Sequence, residues 1–562
     1  MAQKTPKSNA LPPVKTKGQF TKYFRKGNYH YSKGEYASAA KFLNAVWQYD
    51  DSVPEITIQL SDCLFQMGRQ NQALDLLIYT WQKHPDKADI CTVIGSAALR
   101  MNFFDLALKA YEHYTKLQPN DPKGYVNLAT ALRENDRLDE AISLLQEIIP
   151  IYPENDEMWN ALGAAVQLRD GPAQSLVFFE ESYRLNPTSR QILNNLPGIY
   201  YDLGQIDKAK ETVLACLERY NDFASPHLLY SKILLNEGRL SEGWSEYKWR
   251  HHSTNPSACL LPYKIDYWNK GIDIKGKNLL LSAEQGVGDE LLATPVYRQL
   301  IEMVEHLYIG CDSRLVPLFE TSFPEATILP YSVYALSDGR RGRTYQDLTE
   351  EQIEQIDYMC FNLDAVSNLW QSVEDIKPMA QILDVTKDLR GKWKTRIEKL
   401  PKKLNIGVCW RSGVLHATRK TNYTELDNWL PILKNENVNF VNVQYGNYAE
   451  ELKKMKEKHG IKIHNFDDLD LKNDFAGTIA LMQNLDLVIG PTTTPVAEAA
   501  CAGVAVWWLS NGQPWWTYGQ KNPPWLEKGV VHAKDPAQPW PDFMTEMGKT
   551  FYSWVKSHKS GN

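Results

Sequence analysis

The chain has 562 residues, 43% apolar and 23% charged, an ordinary globular balance with material for several cores. Its formal net charge of −6 gives no general attraction to nucleic acid or to an anionic membrane, which disfavours both as partners. No apolar run is long enough to span a bilayer, and the opening MAQKTPKSNALPPVKTKGQ is basic without the apolar stretch of a signal peptide. These features predict a cytoplasmic protein with a short, disordered basic lead over residues 1–18. None of the 8 cysteines forms a CxxC pair and most sit in apolar runs, so buried reduced thiols are expected.

Residues 19–252 repeat in seven units of 34. A turn residue recurs at Gly34, Gly68, Asn102, Asp136, Asp170, Gly204 and Gly238. A small residue follows at Ala39, Ala73, Ala107, Ala141, Ser175, Ala209 and Gly243, and a third column reads Asp51, Pro85, Pro119, Pro153, Pro187 and Asn221. The first column suits a tight left-handed turn ending one helix, the second a close helix crossing, and the third the end of the next helix. The pattern resembles the tetratricopeptide (TPR) family, which implies a superhelix with a concave groove for an extended polypeptide. A spacer or dimerisation element, and hence a homo-oligomer, is the alternative. In the seventh unit Trp244, Tyr247 and Trp249 are expected to cap the stack and seal it against the next domain.

After a linker over 253–271 the period changes. NLLLSAE, HLYIGC, IDYMCF, NIGVCW, NFVNVQ, LDLVIG and VAVWWLS read as strands alternating with helices, the pattern of doubly wound parallel sheets. Two Rossmann-like halves are expected, over 272–388 and 389–535, followed by a C-terminal helix over 536–562. Ligands of such sheets bind at the carboxyl ends of strands. Three loops stand there. In EQGVGDELLATP, Gly288 permits close backbone approach and Asp289 is either a helix cap or a catalytic carboxylate. In CWRSGVLHATRKTNYTELDNW, Arg411, His416, Arg419 and Lys420 form a phosphate-binding loop or a solvated basic one. In LDLVIGPTTTPVAEAACAG, Thr492, Thr493 and Thr494 with the helix start at Pro495 form an anion seat. Glu498 there either accepts ribose hydroxyls or complements the helix dipole.

GWSEYKWR, WNKGIDIKGKNLLLSAEQGVGDELLATP, GVCWRSG, FVNVQYG and NDFAGTIALMQNLDLVIGPTTTPVAEAACAGVAVWWL together resemble bacterial proteins that fuse TPR repeats to a heptosyltransferase-like glycosyltransferase of the GT-B fold. The resemblance implies inverting, metal-independent transfer of a sugar from a nucleotide-sugar donor to Ser/Thr hydroxyls of a protein acceptor, with flagellin the expected acceptor. It makes Asp289 the general base, matches Arg411, Arg419 and Lys420 to phosphate contacts, and places Gln444 and Tyr445 beside the nucleotide base. A UDP-linked N-acetylhexosamine is the favoured donor and a CMP-linked nonulosonic acid the rival; no separate cofactor is implied. The third loop departs from the family pattern, since GPTTTPVAEAA stands where relatives carry an Asp-Thr pair and a His. Competing readings are a glycan or lipopolysaccharide acceptor and a non-catalytic scaffold.

Overall fold

Left-handed turns decide where each helix folds back on the next, and they fall where the 34-residue column places them. In the computed structural model, which describes residues 11–336, 340–413 and 422–559, Gly34, Gly68, Asn102, Asp136, Gly204 and Gly238 have φ between 59° and 75°. The fifth turn slips by one residue. Asp170 ends helix Asp156–Asp170, and Gly171 takes the positive φ of 102°, which costs glycine nothing. Ala39, Ala73, Ala107, Ala141, Ser175 and Ala209 are all 0% exposed, as a close helix crossing requires. Pro85, Pro119 and Pro187 each stand just beyond the end of a helix.

A fourth column completes the helix crossings: Gly27, Ser61, Gly95, Ala129, Gly163 and Ser231 share the same period and are all buried. A Cβ on Gly95 would lie 2.5 Å from the Tyr111 ring, and one on Gly163 would lie 3.0 Å from Phe179. Small residues here let the second helix of a pair lay its large side chain across the first. The column is broken at Pro197, inside helix Arg190–Asp202.

The chain forms two compact units that part between Ile192 and Leu193, within that same helix. The first unit is a superhelical stack of helix pairs around an aliphatic core that includes Leu77, Ile94, Tyr111, Leu132, Leu145 and Leu162. Thr16 caps helix Lys17–Ser32 and Val14 is buried, so the described part of the expected disordered lead is ordered. Residues 1–10 lie outside the described residues.

The second unit holds the last two helix pairs together with the α/β region. Trp244 and Tyr247 are buried, and Trp244 Nε1 donates to the Trp370 carbonyl at 2.8 Å, so these rings seal the last repeat as expected. Trp249 turns back instead and stacks on His227 at 3.8 Å.

Thirteen strands build two sheets in this unit, among the described residues. They are β1 Cys259–Leu260, β2 Asp266–Tyr267, β3 Asn278–Ser282, β4 His306–Cys311, β5 Thr327–Ala335, β6 Arg341–Tyr345, β7 Tyr358–Phe361, β8 Leu404–Val408, β9 Val438–Asn442, β10 Ile463–His464, β11 Leu487–Pro491, β12 Val506–Asn511 and β13 Gly529–Lys534. The first sheet runs β1-β6-β5-β4-β3-β7-β2, with only the β5–β6 pair antiparallel. The second runs β10-β9-β8-β11-β12-β13, parallel throughout. The segment 253–271 is therefore no linker: β1 and β2 form the two edges of the first sheet. Helix Lys387–Ile397 follows the first sheet, and helix Trp540–Lys559 packs Phe543, Met544, Met547 and Phe551 into the core with Ile406, Phe440 and Leu487. All eight cysteines are buried and none forms a disulfide.

Candidate active site

In both sheets the strand order reverses at one point, and the carboxyl ends of the strands there are where doubly wound sheets bind ligands. In the second sheet that point lies between β8 and β11. The loop after β8 and the loop after β11 meet closely: Cys409 N donates to the Ile489 carbonyl at 3.1 Å, and Cys409 Sγ lies 3.6 Å from Thr493 Oγ1. Gly490 has no room for a side chain, since a Cβ would come within 2.2 Å of that sulfur. Thr493 occupies the cap position of helix Thr494–Cys501 in extended backbone, but its hydroxyl does not close the cap. Thr492 is exposed, and Pro495 stands in the first turn with no N–H to satisfy.

Gln444, just past β9, is fully buried. Its Oε1 accepts from Trp410 N and Arg411 N, both at 3.0 Å, and its Nε2 donates to the Tyr445 carbonyl at 2.8 Å. Its amide thus shapes the β8 loop. Arg411 turns its guanidinium to Glu451, with Nε 3.2 Å from Oε1 and Nη2 2.5 Å from Oε2, and Nη2 also donates to the Asn447 carbonyl at 2.7 Å. Its charge is matched inside the protein in this structure. The Tyr445 ring lies against Gly413, where a Cβ would approach within 2.5 Å. Arg419, Lys420 and His416 lie outside the described residues. Glu498 is 1% exposed, its Oε2 has no partner, and burial pushes its carboxyl well above the ordinary range despite the charge of Arg314.

In the first sheet the reversal lies between β3 and β7. The chain leaves β3 through Glu284 and Gln285 and enters helix Val287–Ala293, whose cap position is Gly286. Asp289 is therefore not the cap; it stands in the first turn, where its charge complements the helix dipole. It is half-buried and lines a recess with Leu292, Leu363, Trp515, Trp516 and Tyr518. A Cβ on Gly288 would lie 3.3 Å from Thr494 Oγ1. Cys501 Sγ donates to the Leu291 carbonyl at 3.4 Å, so helices Val287–Ala293 and Thr494–Cys501 lie side by side. The fold thereby brings the Asp289 loop of one sheet against the threonine loop of the other.

Two groups of charged residues beside this recess carry no local sequence signal. One joins Arg250, His251, Glu284 and Asp364. The other centres on Glu290, which is fully buried, accepts from Asp312 N at 3.0 Å and Tyr331 Oη at 2.9 Å, and lies 3.9 Å from Arg343 Nη1. Burial pushes the Glu290 carboxyl up to about 7. A folded-state value raised above the unfolded one contributes stability below about pH 4.5 that is lost as pH rises through about 7, by about 3 kcal/mol. Glu290→Gln is accordingly expected to unfold at higher denaturant than the parent at pH 8, with the gap closing toward pH 5. Parallel pH profiles of the two proteins contradict this.

Comparison with known proteins adds four observations. Tetratricopeptide repeat family models match residues 30–90 and 92–156. Protein FlbA of Caulobacter vibrioides is 32% identical over 447 residues, which is 78% of this chain and 74% of FlbA. Protein O-mannosyl-transferase TMTC1 of Homo sapiens is 21% identical over 174 residues, 30% of this chain and only 20% of TMTC1. Among solved structures, a tetratricopeptide repeat protein from Parabacteroides merdae aligns over 41% of this chain and 91% of its own, at 14% identity and a TM-score of 0.33. Among the described residues, no helix is long and apolar enough to cross a membrane.

Proposed function

This chain belongs to the family of Protein FlbA, and on that premise we propose that it is a cytoplasmic, inverting glycosyltransferase moving a sugar from a nucleotide-sugar to a Ser or Thr hydroxyl of a protein, flagellin. One observation carries the reading: the loop of Asp289 and the Thr492–Thr494 helix start follow the strands at which the two sheets reverse, and they meet where Gly288 faces Thr494. The Asp289 carboxylate takes the proton of the acceptor hydroxyl as its oxygen bonds to the anomeric carbon. The bond from that carbon to the phosphate oxygen breaks, and the departing phosphate keeps the electron pair. The Thr494 amide and the dipole of helix Thr494–Cys501, with the cations Arg419 and Lys420, stabilise that charge, and the step invokes no metal. Gln444 supports the nucleotide by shaping the β8 loop, and Tyr445 flanks the base. Arg411 joins the phosphate contacts only by exchanging its Glu451 partner for the donor.

Donor identity rests on the same loops. A UDP-linked N-acetylhexosamine is the leading candidate and a CMP-linked nonulosonic acid the rival. Glu498, buried with one oxygen unpartnered, gains its missing partner from a ribose hydroxyl. Glu498→Ala is therefore expected to weaken nucleotide binding about tenfold, or about 1.4 kcal/mol; unchanged affinity rejects the ribose role. The repeats recruit the acceptor, and the first unit offers an apolar recess for it between helices Gln70–Lys83 and Phe104–Leu117, lined by Ile78, Trp81, Pro85, Leu106 and His113. Sugar transfer to protein hydroxyls is also the activity in the name of TMTC1. Calorimetry of the full chain against UDP and CMP tests the reading: binding of one nucleotide supports it, and binding of neither leaves a scaffold.

A further inference from the structure

The last repeat ends in a helix, Leu240–Tyr247, that runs into a tight turn, Lys248–His251. From that turn Arg250 enters the protein and is 5% exposed. Its Nε faces both Glu284 carboxylate oxygens, at 2.9 and 3.1 Å. Its Nη2 lies 2.7 Å from Asp364 Oδ1, a charge contact rather than an aligned hydrogen bond. Nη1 donates to the Tyr247 carbonyl at 3.3 Å, and the guanidinium lies over the Tyr247 ring at 4.5 Å. His251 Nε2 lies 2.9 Å from the other Asp364 oxygen, which also accepts from Tyr267 Oη. His251 Nδ1 is buried and makes no hydrogen bond, with Glu284 Oε2 3.9 Å away.

The two carboxylates held in this way are placed with consequence. Glu284 follows β3 and belongs to the loop that carries Asp289. Asp364 stands in the first turn of helix Asn362–Leu369, directly after β7, and that helix supplies Leu363 and Val366 to the Asp289 recess. One side chain of the last repeat thus ties together the two strand ends between which the first sheet reverses. A second tie runs beside it: Gln285 Nε2 donates to Tyr247 Oη at 2.8 Å. Tyr247 also lies against Trp515, another wall of the recess, with ring centroids 5.8 Å apart.

We propose that Tyr247 and Arg250 are positioning residues for transfer: the last repeat holds the loop that sets Asp289, in addition to ending the stack. The proposal rests on the role given to Asp289 above. It assigns the repeats two duties, with Tyr247 and Arg250 serving the chemistry from within the second unit. A loop displaced by about 1 Å loses catalysis on the order of a hundredfold without losing substrate.

Two variants of the full chain test it, Tyr247→Phe and Arg250→Lys. Tyr247→Phe keeps the ring and removes only the acceptor of the Gln285 bond. Arg250→Lys keeps the charge and removes the fork that spans both carboxylates. Hydrogen–deuterium exchange of the segment 283–293 is expected to quicken in both, at an unchanged thermal midpoint for Tyr247→Phe. With an active parent enzyme, kcat is expected to fall at least about tenfold in each variant while the donor KM stays the same. Unchanged exchange in Tyr247→Phe overturns the tie, whether or not Arg250→Lys folds. Quickened exchange with unchanged kcat, or a raised KM with unchanged kcat, overturns the positioning role. A parent chain that transfers no sugar refutes the enzymatic reading and with it the positioning role, while the exchange experiment still decides whether the tie exists.

Discussion

Asp289→Ala is expected to lower sugar transfer by roughly 10²- to 10⁴-fold, the usual contribution of a positioned general base. The carboxylate stands in the first turn of helix Val287–Ala293, next to the glycine whose missing side chain admits Thr494. It is half-buried among Leu292, Leu363 and the aromatic rings of Trp515, Trp516 and Tyr518. In the proposed mechanism, removing it takes away the proton acceptor and leaves untouched the β8 loop, Gln444 and the threonine helix start, which are assigned to the nucleotide. Donor affinity should therefore survive in the variant, as calorimetry with UDP or CMP can establish. Lost nucleotide binding with normal turnover per bound nucleotide contradicts the base role and makes Asp289 a donor contact.

The second large effect is on stability. Arg250→Met replaces the guanidinium facing Glu284 and Asp364, both about 5% exposed or less, with a neutral side chain of similar length. A buried charge stripped of its partner costs about 3–5 kcal/mol, a large share of the stability of most folds. The sign of the pH dependence follows from the same contacts. Burial already pushes the Glu284 carboxyl up, while Arg250 and His251 outweigh burial at Asp364 and hold it below the ordinary range. Without Arg250 burial is less opposed at both carboxylates, and both folded-state values rise. The stability that remains is then fullest at acid pH and lost as pH rises through the raised values. Thermal midpoints are accordingly expected to differ most between parent and variant near pH 8 and least near pH 4.5. A gap that widens toward acid pH rules this account out.

What the sequence makes legible follows the reach of each signal. The repeat register is written in local chemistry, because a left-handed turn, a close crossing and a helix end each restrict the residue at one position. Gly171 taking the turn from Asp170 is a one-residue slip that a glycine next door always permits. The column of small residues through Gly27, Gly95 and Gly163 has the same period and was legible too; it marks the other side of the same crossings. Strands with apolar runs such as β3, β4, β8, β11 and β12 announce themselves. The two-residue strands β1, β2 and β10 carry no periodicity, and the polar RGRTY of β6 is a strand through its pairing with β5 and β1. At the site, the three loops were visible from their glycines, threonines and cations at strand ends. Partnerships across the fold were not. Nothing near Arg411 announces Glu451, and nothing near the last repeat announces Glu284 and Asp364, because an ion pair leaves no mark in the sequence around either partner.

Transfer of a sugar to a protein hydroxyl leaves a mass increment on the acceptor, which intact mass spectrometry of flagellin coexpressed with the full chain reads. With the parent chain, flagellin is expected to gain mass in whole sugar units, hexosamine-sized or nonulosonate-sized, and the gain should disappear with Asp289→Ala. Flagellin of the same mass with and without the parent chain, at matched expression of both proteins, contradicts the claim.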